Sequence, residues 1–330
     1  MTKRTRRQLL QRTAASTSGL MILSGSASAH QKEHATYDGP HSVPHIGTRG
    51  HYSTEEKDQK ADSYAYHTDG ECPGLDDGYG CPEDITIFVH GWTNDREGAH
   101  KKADMVRDCL DIAGYSGNIA EYTWDSDTIN WWDGSPYNAW DVGKYNAGYR
   151  SHPEDGEVGN CNALAHAILN IRINCPDATI RVVAHSLGCR VALLALDALQ
   201  EDWDYWDEDD EIFSLHLVGA AVPYTWVDES GPLGYEIRTE TRATFNYHSR
   251  HDGTIDHTYS GWEDDEGLGS YGADGEDSDT PADPPCNYHD EDVSNEVGGH
   301  SKYFGKGTNE GEKIAPEVLH HMANVTSYDC

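Results

Sequence analysis

Apolar residues along this chain fall into short dense runs separated by longer stretches with helical spacing. The first dense run is Ile85-Thr86-Ile87-Phe88-Val89. Nearly every residue in it is β-branched or aromatic, which predicts a strand buried on both faces. From there the pattern alternates. It predicts a helix over 96–113, a strand over 119–124, a helix over 158–171 and a strand over 179–184. Residues 187–199 repeat apolar side chains at helical spacing through Leu187, Val191, Leu194, Ala195 and Ala198. Two more strands follow at 213–222 and 243–247, then a last helix at 315–323. Strands alternating with helices predict a largely parallel α/β sheet covered on both faces.

Three polar stretches interrupt this order. Residues 30–83 are rich in His, Gly and Asp and predict a polar N-terminal segment. Residues 256–292 are rich in Gly, Asp and Pro and predict a long acidic surface loop. Between Trp124 and Val158 the sequence is polar and aromatic, with Trp131, Trp132, Tyr137, Trp140 and Tyr145. That stretch reads equally as a cap over a pocket or as an amphipathic helix packed on the sheet.

Charge changes the picture next. The 330 residues carry 24 Lys plus Arg against 58 Asp plus Glu, a formal charge of -34. Such a chain repels phosphate backbones and anionic bilayers, which excludes general nucleic-acid binding and membrane-surface docking. Length alone allows two domains, but α/β folds of this size are commonly one. The first 29 residues read as a processing segment. A basic start with the pair Arg6-Arg7 leads into a weakly apolar stretch and then Ala27-Ser28-Ala29, the pattern of a twin-arginine export signal with its cleavage site. The expected organisation is therefore a signal at 1–29, the polar segment at 30–83 and an α/β domain at 84–330, in a secreted protein. No later run of 18 apolar residues predicts a membrane span.

Removing 1–29 takes away Lys3, Arg4, Arg6, Arg7 and Arg12 and no acidic residue, so the charge becomes -39. This composition resembles that of proteins from extreme halophiles, whose like charges need concentrated salt for screening. Acidic runs such as 202–210 and 274–277 offer oxygen ligands, but none has the spacing of an EF-hand loop, and they read as solvated surface. Eight cysteines, Cys72, Cys81, Cys109, Cys161, Cys175, Cys189, Cys286 and Cys330, permit disulfides outside the cytoplasm. Cys72 and Cys81 bracket a Gly/Pro/Asp loop and form the best local pair. No Cys-x-x-Cys spacing occurs, and the histidines His30, His34, His41, His45 and His51 lack a ligand pattern, so neither a metal nor a cofactor is expected. Asn324-Val325-Thr326 is the one glycosylation sequon.

Candidate chemistry centres on Val182-Val183-Ala184-His185-Ser186-Leu187-Gly188. A buried strand runs into Ser186 and straight out into a helix, the setting of a nucleophile elbow, whose flanking positions must be small. Ala184 and Gly188 are small. Upstream, the strand at 85–89 ends in His90-Gly91-Trp92, the kind of loop that supplies one oxyanion-hole amide, the other coming from the residue after the nucleophile. The expected donors are the backbone N–H groups of Trp92 and Leu187, with His90 in a structural role.

With these motifs the chain resembles the α/β-hydrolase superfamily, in particular secreted lipases and esterases. The resemblance covers about Asp84 to Phe304. It implies an α/β-hydrolase fold with an eight-stranded, mostly parallel sheet, and a triad in the order Ser, acid, His. It places the acid at Asp252, after the strand at 243–247, ahead of the rivals Asp256 and Asp228. It places the base at His300, after a short strand-like segment beginning at Val293, ahead of His289 and His257. In that reading Ser186 attacks an acyl carbonyl, His300 carries the proton and Asp252 orients the imidazole. The implied substrate is a small-molecule or lipid ester. Amidase and thioesterase chemistry share the same machinery, and a non-catalytic binding protein can retain the scaffold.

Overall fold

Apolar runs too short for helices become strands, and the amphipathic stretches between them cover the sheet that results. A computed structural model of the chain describes residues 43–49, 66–76, 80–126, 136–148, 159–202, 211–276, 281–304 and 311–325. These belong to a unit spanning His34–Cys330; Met1–Glu33 is a separate unit, and it lies outside the described residues together with the expected export signal. Also outside them are His30, His34, His41 and His51, Trp131 and Trp132, and most of the acidic run at 202–210.

The strands are β1 (His45–Gly47), β2 (His67–Asp69), β3 (Asp84–Val89), β4 (Asn118–Thr123), β5 (Thr179–His185), β6 (Ser214–Val218), β7 (Thr244–His248) and β8 (Tyr288–Asp292). They form one sheet in the order β2-β1-β4-β3-β5-β6-β7-β8. The β1–β2 pair is antiparallel and every other neighbour pair is parallel. Between them run α1 (Arg96–Ala113), α2 (Pro136–Ala147), α3 (Asn160–Asn174), α4 (Gly188–Asp202), α5 (Gly234–Glu240), α6 (Ser260–Glu263), α7 (Leu268–Tyr271) and α8 (Gly311–Ala323). Helix α1 has the expected bounds, and both ends have a physical cause. The Asp95 carboxylate accepts the Gly98 N–H at 2.7 Å, and Gly114 closes the helix in the left-handed conformation.

Strand alternation divides the core between the two faces of the sheet. Ile85, Ile87, Val89, Val182 and Leu217 pack with Leu164, Ile168, Leu193 and Leu196 of α3 and α4. Phe88, Val183, Val218 and Tyr247 pack on the other face with Val106 and Leu110 of α1 and Val318 of α8. This is the mostly parallel, doubly covered sheet that the alternating pattern predicts. Among the described residues no helix is long and apolar enough to cross a membrane.

Four local expectations need correction. The polar segment at 30–83 is not only a lead-in, because it supplies β1 and β2 to one side of the sheet, with Ile46 fully buried. Nor is the stretch 256–292 a plain acidic loop. It carries a π-helical turn at Thr254–Tyr259, α6, α7 and β8, and buries Tyr259, Leu268, Ala273 and Tyr288. The strand expected after Val293 is instead a turn: Val297 N–H donates to Val293 O at 2.9 Å, and the last strand, β8, comes just before it. Val293 and Val297 are four residues apart because both face the core from one turn.

The fourth correction is the disulfide. Cys81 bonds to Cys175, 94 residues away, while Cys72 is a buried free thiol. Cys72 and Cys81 meet different neighbours: Cys72 Sγ lies 3.5 Å from His45 O, and Cys81 lies beside the end of α3. Burial pushes the Cys72 and Cys161 thiols up to about 12, leaving both as inert core side chains.

Candidate active site

Ser186 is set at the sharp turn between β5 and α4. Its φ is 58°, a left-handed backbone that a serine adopts only where the surroundings hold it. They do so through hydrogen bonds on both sides: Ser186 N–H donates to Val218 O at 3.0 Å, and Ser186 O accepts from Cys189 N at 3.0 Å and Ala221 N at 3.2 Å. Gly188 lets α4 start directly against β3. A Cβ there would lie 2.5 Å from Val89 O and 2.6 Å from His90 O.

Asp252 and His300 follow β7 and β8, at the same C-terminal edge of the parallel strands as Ser186. Asp252 follows β7 by four residues and is fully buried, and its Oδ1 accepts the N–H groups of Thr254 and Ile255, each at 3.2 Å. These bonds fix the carboxylate and leave Oδ2 turned toward His300. His300 opens a short 3₁₀ turn eight residues beyond β8. Its Nδ1 lies 2.8 Å from Asp252 Oδ2, and its Nε2 lies 2.8 Å from Ser186 Oγ. The three residues singled out in the sequence are thus brought into one hydrogen-bonded line. Their rivals are elsewhere. Asp256 pairs with the exposed His257 at 3.0 Å, Asp228 binds the Ser230 hydroxyl and the Asp283 N–H, and His289 stacks on Phe245.

The line is held by residues that sequence reasoning missed. Tyr303 is fully buried, donates to Gly269 O at 3.4 Å, and is kept protonated by burial and by the nearby Asp252 charge. Its Tyr303-Phe304 pair, the first apolar spot after His300, was the available signal. His185 lies beside His300 with ring centroids 4.8 Å apart, and its Nε2 is 3.2 Å from the His300 carbonyl. Burial, then the charges of Lys102 and His300, hold His185 neutral, so it can donate to that carbonyl without a competing charge. Ser249 Oγ donates to Val297 O at 2.7 Å and ties the Asp252 turn to the His300 loop.

The His-Gly-Trp loop lies against the serine. A Cβ on Gly91 would meet Ser186 Cβ at 2.7 Å and lie 3.2 Å from Ser186 Oγ. Among the described residues no acceptor takes the backbone N–H of Trp92 or of Leu187. His90 is structural: Nε2 accepts from Trp124 N at 3.1 Å, Nδ1 donates to Gly91 O at 2.9 Å, and the ring stacks on Trp124. Burial drives its pKa far down, which keeps the ring neutral for these roles. Beyond the loop, the Trp92 ring meets Trp140 of α2 at 5.3 Å and Trp262 at 5.8 Å, and Trp140 meets Tyr259 at 5.7 Å. The aromatic stretch before Val158 therefore does form a helix over Pro136–Ala147, and that helix lies next to the serine loop.

Residues 81–217 match the family described as alpha/beta hydrolase of unknown function (DUF900). Over those residues the chain is similar to α/β hydrolases, and its mostly parallel eight-stranded sheet covered by helices is of that fold class. Among solved structures, the chain is similar to an uncharacterized protein from Bacillus cereus at 14% identity and a TM-score of 0.39, covering 74% of this chain and 60% of that one. It is also similar to an acetyl xylan esterase (13%, TM-score 0.37, covering 74% and 99%) and to an esterase from Pyrococcus furiosus (13%, TM-score 0.37, covering 72% and 83%). The match spans less than two thirds of the Bacillus cereus protein. No curated protein is similar enough to the sequence to count as a match.

Proposed function

We propose that this α/β hydrolase cleaves carboxylic esters through an acyl-enzyme on Ser186. The observation that carries the reading is the line from Ser186 Oγ through His300 to the buried Asp252 carboxylate, two contacts of 2.8 Å each. In the first half-reaction Oγ bonds to the acyl carbon and its proton passes to His300 Nε2. The carbonyl oxygen becomes an oxyanion facing the N–H groups of Trp92 and Leu187, donors of a kind worth about 3 kcal/mol each. Collapse breaks the ester C–O bond, and the leaving alcohol takes the proton from Nε2. A water then attacks the acyl carbon, giving its proton to Nε2, and the second collapse returns that proton to Ser186 and releases the acid. Asp252 remains ionised throughout and holds the Nδ1–H.

A fluorophosphonate probe should label Ser186 in the folded protein, and Ser186→Ala should abolish labelling and lower ester turnover by about 10⁴-fold or more without shifting the melting temperature. Wild-type turnover in a folded Ser186→Ala protein would sink the assignment.

The same proposal includes export by the twin-arginine route and a need for salt. Its support is the Arg6-Arg7 start, the Ala27-Ser28-Ala29 site and the -39 charge left once 1–29 is removed. Melting temperature should climb with NaCl to molar concentrations, where the Debye length falls to about 3 Å, and millimolar CaCl₂ should not substitute. Equal melting in dilute and concentrated salt would discard the halophilic reading. Secretion of an Arg6→Lys, Arg7→Lys protein at normal levels would discard the export route.

A further inference from the structure

In a chain this acidic, a guanidinium without a partner is unusual. Arg49, Arg96, Arg107, Arg181, Arg238, Arg242 and Arg250 each lie within 4 Å of a carboxylate. Arg172 donates to three backbone carbonyls. Among the described residues Arg190 has neither kind of partner, and its Nε is fully enclosed. What it has is a platform: its guanidinium carbon lies 4.6 Å over the Trp226 ring. Stacking uses the face of the guanidinium and leaves the in-plane N–H groups, the ones that grip a carboxylate, unused.

Both halves of this clamp are fastened to the nucleophile turn. Arg190 stands four residues beyond Ser186, in the first turn of α4. Trp226 belongs to the segment after β6 whose Ala221 N–H donates to Ser186 O. A second enclosed donor lies within reach of the Arg190 charge: Tyr259 OH is buried and has no partner among the described residues. Tyr259 packs edge-on against Trp140, which reaches Trp92 and so the serine loop. The charge of Arg190 acts on Tyr259, and burial holds the phenol protonated, hence a donor. The carboxylate closest in influence to Arg190, Glu263, is already engaged by Trp140 Nε1 at 2.6 Å and by Lys144.

We propose that Arg190, stacked on Trp226, and Tyr259 form an anion subsite that receives a carboxylate at the far end of the substrate's acyl chain. The substrate class is then a half-ester of a dicarboxylic acid. The inference rests on Ser186 being the nucleophile. It adds a local cationic recognition point to a protein whose overall charge disfavours anions, a contact that matters most where salt has screened the long-range field.

The test compares kcat/KM for monoethyl succinate, glutarate and adipate with that for ethyl butanoate, pentanoate and hexanoate at one fixed molar NaCl concentration. At the best chain length the wild-type enzyme should favour the half-ester about 10- to 100-fold, the range for hydrogen bonds to a charged group. Arg190→Gln should bring that ratio to near one, Arg190→Lys should restore part of it, and Tyr259→Phe should reduce it. A ratio near one in the wild type, or one that Arg190→Gln leaves in place, overturns the proposal. Binding is measured separately in Ser186→Ala, which keeps Arg190: free adipate should quench tryptophan fluorescence saturably, and dimethyl adipate or NaCl of equal ionic strength should not. If adipate saturates while the wild-type protein turns over no ester, the hydrolase reading and the half-ester substrate fail together and only an anion site at Arg190 is left. If neutral esters are cleaved and adipate does no more than NaCl, the subsite fails and the hydrolase reading stands.

Discussion

The two halves of the candidate site are built by different means. The serine half is local: β5, the turn at Ser186 and α4 are contiguous in sequence, and small residues at 184 and 188 let them pass closely. The acid and base half is assembled across the sheet. Asp252 and His300 are 48 residues apart and are aligned by Thr254, Ile255, Ser249, Val297 and Tyr303, none of which forms a recognisable motif. A strained turn can be specified by its own residues, whereas a two-loop contact depends on everything that sets the loops. Substitutions should therefore act differently in the two halves.

The largest contrast is expected at Asp252. Asp252→Asn removes the charge that faces His300 Nδ1 while the amide oxygen can still accept the Thr254 and Ile255 N–H groups. Turnover should fall by about 10³- to 10⁴-fold, with fluorophosphonate labelling slowed in parallel. Full activity in that variant would show that the acid lies elsewhere.

Gly91→Ala probes the local half. Its new Cβ would press on Ser186 Cβ, 2.7 Å away, so either the loop or the serine must shift. We expect kcat to fall by about 10²-fold with melting nearly unchanged, because a displacement of about 1 Å is enough to misplace a nucleophile. Melting that collapses together with activity would mean that Gly91 serves the fold instead of the site.

The smallest effect is graded and concerns pH. His90 directly follows β3, His185 and His216 lie in β5 and β6, and burial depresses all three far below 6.5. His45 is lowered to about 3, first by burial and then by His100. A histidine whose folded pKa is depressed contributes stability above its unfolded pKa, and that stability is lost as pH falls below about 6.5 toward the folded value. Each group adds a slope of about 1.4 kcal/mol per pH unit in that window. Glu121, raised by burial, acts in the opposite direction. Thermal melts from pH 7.5 to 5 should show a steady loss of stability with net proton uptake on unfolding; a flat profile would mean these rings are solvated.

The same division governs what could be read in the chain. The run at 85–89, the helix at 96–113 and the turn at Ser186 were legible because their residues make most of their own environment. β8 was not. Tyr288-His289-Asp290-Glu291-Asp292 shows a single strong apolar residue, since an outer strand needs little apolar surface and its pairing with β7 is made by the backbone. Strands β1 and β2 have three residues each and too few positions to show a period. The Cys81–Cys175 bond joins residues that only the folded sheet brings together. Asp252 and His300 lay between these extremes: the resemblance suggested their order, while their alignment depends on contacts with no sequence signature.

The outermost strands have a consequence for how molecules meet one another. Concentrated salt screens charge repulsion between proteins and favours contact between their apolar surfaces, so solubility there cannot rely on net charge alone. An open parallel sheet exposes two lines of unpaired backbone, each a template for another chain. Here one end of the strand order is the three-residue antiparallel strand His67–Asp69, too short to template much, and the other is Tyr288–Asp292, with three adjacent carboxylates. Among the described residues the sheet thus ends on both sides in segments unsuited to growing further, which would keep the molecules from stacking when their charge is screened.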